Sequence, residues 1–416
     1  MTASPRAPLQ SLDDALRSLL AAAVPLQDVE RVATGDADGR VLAQDVVSAL
    51  HVPPQDNSSM DGYALRCADA AAPGQVFPVS QRIAAGSAGS PLQPNTVARI
   101  FTGAPIPPGA DAVVMQEDCT VLAATDSVEM PGVRVNSVPH VGQWIRRAGE
   151  DVARGDVVLR RGQRLGPAEL GLAASIGLAH LGVAPRPRVA LFSTGDELVI
   201  PGTVAPQDMP PGAIYNSNRF FLSALLRRMG CVVTDLGIVP DQRDATVQAL
   251  REAALSHDVI LTSGGVSVGE EDHIKPAVQA LGTLDLWQIA IKPGKPFAHG
   301  RIGAAHFLGL PGNPVSSFVT FLLLVRPFVL RLQGVHDVAM KTVAAPAHFD
   351  WARADKRQEF LRVRRNASGG LDLYPNQSSG VLTSAVWGDG LVVNPAGRTI
   401  AYGDVVAYVS FAELLA

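Results

Sequence analysis

The sequence holds 416 residues, 47% hydrophobic and 18% charged, below the ~25% charge of an average globular chain. That length suits two to four domains of ~100–200 residues each, with ample apolar material for their cores. A net charge of −4, a pI of about 6.1 and the lack of a long basic run argue against general nucleic-acid binding. Cys67, Cys119 and Cys231 are too few and too far apart for a disulfide framework or a CxxC metal site.

Along the chain, Ser11 caps a predicted helix to about Ala23, with Leu12, Leu16, Leu19 and Leu20 on one face. The start lacks the basic-then-apolar pattern of a signal peptide. The most apolar stretch, Phe318–Leu332, is interrupted by Arg326 and Pro327 and is too short to span a bilayer. A cytoplasmic protein is therefore expected. A polar stretch, Val52-Pro-Pro-Gln-Asp-Asn-Ser-Ser-Met-Asp-Gly-Tyr-Ala64, reads as a rigid turn, since Asn57 and Asp61 can bond to nearby backbone. Residues 65–140 read as short strands and turns, residues 141–185 as a turn-rich piece with a helix from Pro167 to Leu178. The 51–139 module looks inserted between two parts of one element.

From Arg186 the texture becomes a regular βαβα alternation. Strands are expected at Val189–Gly195, Cys231–Val239, from Val259, at Leu284–Ile291 and at His306–Leu310. Helices are expected at Asn216–Met229 (apolar at Phe220, Leu222, Leu225 and Leu226), Asp241–Ser256, Asp272–Leu281 and from Pro314 to about Gly334. This predicts a doubly wound, mostly parallel sheet covered by helices on both faces. The last 80 or so residues alternate apolar and polar and read as a small β-barrel or sandwich.

In doubly wound sheets ligands bind beyond the carboxyl ends of the strands. Here polar residues stand at those ends strand after strand: Glu197, Asp241, Asp272, then Lys292 and Lys295, then Asn313. The third strand opens into Thr262-Ser-Gly-Gly-Val-Ser-Val-Gly269, whose glycines would let backbone N–H groups approach an anion. A tight turn with a solvated acidic cap is the other reading of that loop alone. Several carboxylates suit Mg²⁺, which takes one or two of them and shares its remaining positions with water and phosphates. Lysines offer point charges to oxyanions. Phosphoryl or nucleotidyl chemistry on an anionic small molecule is the natural class. No P-loop GxxxxGK[ST] is present, and the nine histidines show no HExxH or HxH spacing.

Seven motifs together resemble one family. They are Asp56-Asn-Ser-Ser-Met-Asp-Gly-Tyr-Ala64, Phe101-Thr-Gly-Ala-Pro-Ile-Pro-Pro108, Ile145-Arg-Arg-Ala-Gly-Glu-Asp151, Phe192-Ser-Thr-Gly-Asp-Glu-Leu198, Ser263-Gly-Gly-Val-Ser-Val-Gly269, Lys292-Pro-Gly-Lys-Pro296 and Leu310-Pro-Gly-Asn-Pro314. In this order they are similar to the MoeA family of molybdopterin molybdenumtransferases, whose module also forms the E domains of gephyrin and of the plant molybdenum insertase. The chain departs from the family at Ser59, usually alanine, and at Ser378, usually glycine.

The resemblance implies a multidomain α/β plus β fold. Residues 186–336 would form a molybdopterin adenylyltransferase-like α/β domain, residues 51–139 an inserted β-rich domain and residues 337–416 a C-terminal β-barrel. Residues 1–50 with 140–185 would form a linking domain. It implies insertion of molybdate into adenylylated molybdopterin with release of AMP, dependent on Mg²⁺, in a homodimer whose cleft is shared between subunits. Glu197, Asp241 and Asp272 would be the cleft acids and metal ligands. Asp61 and Thr102 would face them from the partner. Ser263, Gly264, Gly265 and Ser267 would cradle phosphate or pterin, with Asn313 on the same rim. Lys292, Lys295 and Pro296 would lie near molybdate and phosphate, and Arg362 and Ser379 would handle molybdate. Two alternatives use the same fold: the adenylyltransferase itself, which could instead be a partner, and a non-catalytic scaffold.

Overall fold

The computed structural model describes residues 9–122, 132–266 and 273–415. Its centre is a six-stranded sheet in the order Val232–Val239, Arg188–Thr194, Val259–Ser263, Ala305–Leu310, Pro296–Ile302, Gly282–Gln288. The first four strands are parallel, and the last two pair antiparallel to their neighbours. Side chains alternate across the central strands, as a sheet buried on both faces requires. Val189 and Leu191 face one core, with the helices Leu12–Ala22, Asn218–Arg228 and Pro314–Leu332, whereas Ala190 and Phe192 face the other, with Arg243–Ser256 and Ile274–Leu281.

The sequence expectation of a mostly parallel sheet with helices on both faces holds. The Pro296–Ile302 strand was not foreseen. It begins at a proline and carries a glycine, residues that usually punctuate strands, and it is accepted near the sheet's edge. In the Asn218–Arg228 helix, Phe220 stands 54% exposed, against its expected place on the apolar face. Phe221 packs there instead, edge-on to Phe318 at 5.9 Å. Pro314–Leu332 has the length and apolarity of a membrane-crossing helix, yet nearly all of it is buried inside the protein. Arg326 and Pro327 do not end it, because a π-helical turn at Phe321–Val325 absorbs the proline.

Short strands flank a separate mixed sheet. Glu30–Ala33 pairs with His180–Val183, Val46–Val47 with Val157–Leu159, and Asn57–Ser58 with Ile145–Arg146. Between the members of these pairs lies the sheet Ala112–Met115, Gly62–Leu65, Val97–Ile100, Gln75–Ile83, Gly132–Val135, Cys119–Leu122. The C-terminal sheet runs Ile291–Lys292, Gln358–Arg365, Gly390–Asn394, Val405–Ser410, Val343–Pro346, with Leu371–Leu373 beside Gln358–Arg365. An Ala347–Leu371 bridge and the His348 N–H donated to the Leu371 carbonyl join its far edges, curling it into a small barrel.

Candidate active site

A cleft of about 510 Å³ opens beyond the carboxyl ends of the parallel strands. Ser193, Thr194 and Gly195 close the first strand, and Glu197 follows on its exposed loop. Asp241 comes from the end of Val232–Val239, Ser263-Gly-Gly-Val266 from the third strand, and Pro311-Gly-Asn-Pro314 from Ala305–Leu310. Pro296 forms part of the wall. Thus Glu197, Asp241, Ser263, Gly264, Gly265, Pro296 and Asn313 converge as the sequence led us to expect. Ser267 and Asp272 lie outside the described residues.

The two glycines are demanded by geometry. Gly264 has φ +96 and donates its N–H to the Leu310 carbonyl at 3.0 Å. Gly265 has φ +67, and a Cβ there would stand 2.4 Å from Ile274 Cγ1 and 2.9 Å from Thr194 Oγ1. Two helices begin at the cleft, Asn218–Arg228 and the one starting at Pro314, which turns the positive ends of their dipoles toward it.

The floor is neutral and buried. Asn218 donates from Nδ2 to Ser263 Oγ at 2.8 Å and to the Gly312 carbonyl at 2.7 Å, which ties three elements together. Its Oδ1, the Asn216 Nδ2 and the Ser193 Oγ are buried without a hydrogen-bond partner. Buried polar atoms of this kind normally meet ligand or water. Sequence reading missed these three residues. The polar run Tyr215-Asn-Ser-Asn218 at a helix start was the available signal.

Among the described residues no lysine or arginine lines the cleft. An anionic ligand here needs positive charge from elsewhere. Glu197 and Asp241 are the carboxylates that line the cleft, hard oxygen donors of the kind of which a divalent cation takes one or two, and no group of three or more His, Cys, Asp or Glu that could hold a metal ion exists among the described residues. Lys295 directly precedes the lining residue Pro296, and its ammonium has no ion-pair partner among the described residues. Lys292 departs from the expected placement. It does not line the cleft, and its Nζ lies 3.0 Å from Glu359 Oε1 and 3.2 Å from Asp355 Oδ2.

Arg362 is 1% exposed. Its guanidinium meets only neutral oxygens: Ser384 Oγ at 3.1 Å and the carbonyls of Phe360 at 3.1 Å and Ser378 at 3.4 Å. Burial pulls it down to about 10. Its loop reaches the cleft, since the N–H of Val315, in the first turn of the Pro314 helix, donates to the Ser379 carbonyl at 2.9 Å. Asp61 and Thr102 sit together on the 62–135 sheet region and do not line the cleft. Asp61 Oδ1 accepts both the Thr102 N–H and its hydroxyl at 2.8 Å, and these bonds hold the carboxyl below its usual range. Arg82 and Arg99 flank the neighbouring Phe101 ring at 4.5 and 4.6 Å.

Comparison with known proteins agrees with this layout. Residues 10–177 match the MoeA N-terminal region (domain I and II), residues 190–331 a probable molybdopterin binding domain and residues 344–411 the MoeA C-terminal region (domain IV). A molybdopterin molybdenumtransferase of Haemophilus influenzae is 43% identical over 319 residues, 76% of this chain and 74% of its own. One of Nostoc sp. is 34% identical over 387 residues, 90% and 86% of the two chains. The crystal structure of the molybdopterin biosynthesis moeA protein from Pyrococcus horikoshii OT3 superposes with a TM-score of 0.83 at 26% identity, covering 97% of this chain and 100% of the other. With three consecutive regions matched in order and relatives aligned over most of its length, the chain belongs to the MoeA family.

Proposed function

We propose that the chain is a molybdopterin molybdenumtransferase that takes adenylylated molybdopterin and molybdate, loads the metal onto the dithiolene and releases AMP. One observation carries this reading. The cleft bearing Glu197, Asp241 and the Ser263–Gly265 cradle lies wholly within the segment matched as a probable molybdopterin binding domain. Its two carboxylates beside a cradle without basic residues suit a ligand that arrives with a cation.

Glu197 and Asp241, joined by Asp272, would hold Mg²⁺, which when bound offsets the phosphate charge as the adenylate leaves. The backbone of the Gly265–Val266 turn and the positive ends of the helices that begin at Asn218 and Pro314 orient the phosphates. Asn313 and Pro296 shape the wall. Lys295 supplies charge to oxyanion oxygens. Arg362, buried without a carboxylate and linked to the cleft through Ser379 and Val315, is the molybdate-facing cation. The P–O bond to adenylate breaks and AMP leaves with the bridging oxygen, a molybdate oxygen takes its place on the phosphorus, and the Mo–O bond thereby given up is replaced by bonds to the two dithiolene sulfurs as their protons are released. Asp61 and Thr102 act on the cleft of a second copy, which makes the working unit a homodimer. An adenylyltransferase supplies the substrate.

AMP release from adenylylated molybdopterin, with molybdate and Mg²⁺ present, tests the assignment. Asp241→Ala and Asp272→Ala should each lower it at least ~100-fold, the scale of losing a charge-positioning group. Full AMP release by both variants sinks the proposed metal and phosphate roles.

A further inference from the structure

Lys292 stands in the Lys-Pro-Gly-Lys-Pro loop, where its role in the reaction would be to meet the oxyanion. Its actual contacts lie in the C-terminal domain. Glu359, the nearer of its two carboxylates, is 1% exposed and also accepts from Trp351 Nε1 at 2.7 Å and Asn394 Nδ2 at 3.3 Å. Asp355, the other, is held by Arg357 at 2.9 Å. The backbone follows the same path: Ile291 and Lys292 pair in parallel with Gln358 and Glu359 as the edge of the C-terminal sheet.

The Gln358–Arg365 strand therefore serves two domains. Leu361 and Val363, on the Glu359 side, belong to the C-terminal core, while Phe360 belongs to the α/β core. Arg362 shares the Phe360 side and reaches the Ser378–Ser384 loop that touches the cleft. A buried carboxylate is held in place by the cation it faces, and its strand with it.

We propose that Lys292 is a positioning residue. Paired with Glu359, it fixes the register of the Gln358–Arg365 strand against the α/β domain and so sets Arg362 beneath the Ser378–Ser384 loop that touches the cleft. This rests on the reading that Arg362 serves molybdate.

The test uses the full chain, with kcat and KM measured separately for molybdate and for adenylylated molybdopterin. Lys292→Met and Glu359→Gln should each raise the molybdate KM about tenfold or more and leave the other KM near its original value. The double variant should be no worse than the worse single. In an Arg362→Met background, Lys292→Met should add nothing. The proposal is overturned if Glu359→Gln behaves as the parent while Lys292→Met fails, or if the Lys292→Met loss multiplies on Arg362→Met. Lys292→Arg, which keeps the charge, should recover most of the affinity, and its failure to do so together with intact folding counts against the clamp. A second readout needs no turnover. The ¹⁵N indole resonance of Trp351, bonded to Glu359, should shift in Lys292→Met, and an unshifted resonance overturns the clamp. If the parent chain makes no product, the enzymatic reading fails while the Trp351 resonance still decides the clamp.

Discussion

Asn218 shows how a neutral side chain can organise a site. It bonds Ser263 and Gly312 from beneath the cleft and leaves Oδ1 free of protein partners. Asn218→Ala should cost about 1–3 kcal/mol of stability, read from urea unfolding, and should raise the KM for adenylylated molybdopterin more than that for molybdate. Residues at strand ends were the legible ones. Glu197, Asp241 and Asn313 could be read from sequence because successive strand ends share a rim, and Gly264 and Gly265 because only glycine fits there. Asn216, Asn218 and Ser193 carry no charge pattern to reveal them. Lys292 was misplaced because its partner Glu359 lies 67 residues away and pairs with it only through the fold.

Elements tell a similar story. Alternation from Arg186 onward exposed the parallel strands and their helices. A strand was expected over Leu284–Ile291, close to the observed Gly282–Gln288, but its antiparallel partner Pro296–Ile302 escaped notice because it looks like a loop. That region holds a buried histidine pair. His299 Nε2 and His306 Nδ1 lie 3.4 Å apart, with Arg301 Nη1 3.2 Å from His306 Nε2, Asp285 near His299, and Trp287 and Phe328 against the rings. Burial, with Arg301 adding to it, lowers His306 to about 4. Its folded value thus lies below the unfolded ~6.5, so between those pH values the unfolded chain binds a proton that the folded chain refuses. Stability is full above ~6.5 and falls toward pH 4, by on the order of 3 kcal/mol. The urea midpoint should drop over this window, and drop less in His306→Gln. Gly265→Ala, at φ +67 against Ile274 and Thr194, should lower the melting temperature and weaken phosphate-ligand binding together.

For the whole molecule, the single chain brings together one part of the proposed site and leaves Asp61 and Thr102 on another sheet. Mixed dimers test whether two copies complete it. Asp61→Ala and Asp241→Ala chains, each inactive alone, should regain activity when refolded together, because one of the two clefts in a hybrid then has both groups. Random pairing sets the ceiling at about a quarter of the parent activity. No recovery would place Asp61 outside the shared cleft. The α/β sheet and the β-rich C-terminal part were legible because the apolar period and turn density change along the chain. The docking of distant segments was not, since local pattern holds no record of it. Leu19→Ala, in a helix more than 150 residues before the central sheet, should destabilise the α/β domain by about 2–5 kcal/mol, measured by unfolding followed at Trp287.

That docking has a consequence for how the protein is made. Ala15 and Leu19 share one buried cluster with Phe328, and with Phe411 and Leu414 as well. A ribosome adding 5–20 residues per second would present the Leu12–Ala22 helix roughly 15–60 seconds before Phe328 emerges. For that interval its leucine face lacks the Arg326–Leu332 segment it packs against and stays open to chaperones or to neighbouring nascent chains. The central domain is thus among the last parts of the molecule to be finished, although most of its strands lie mid-sequence. Slowing translation should lengthen that exposure and increase aggregation more in this chain than in one where the helix is replaced by a polar segment.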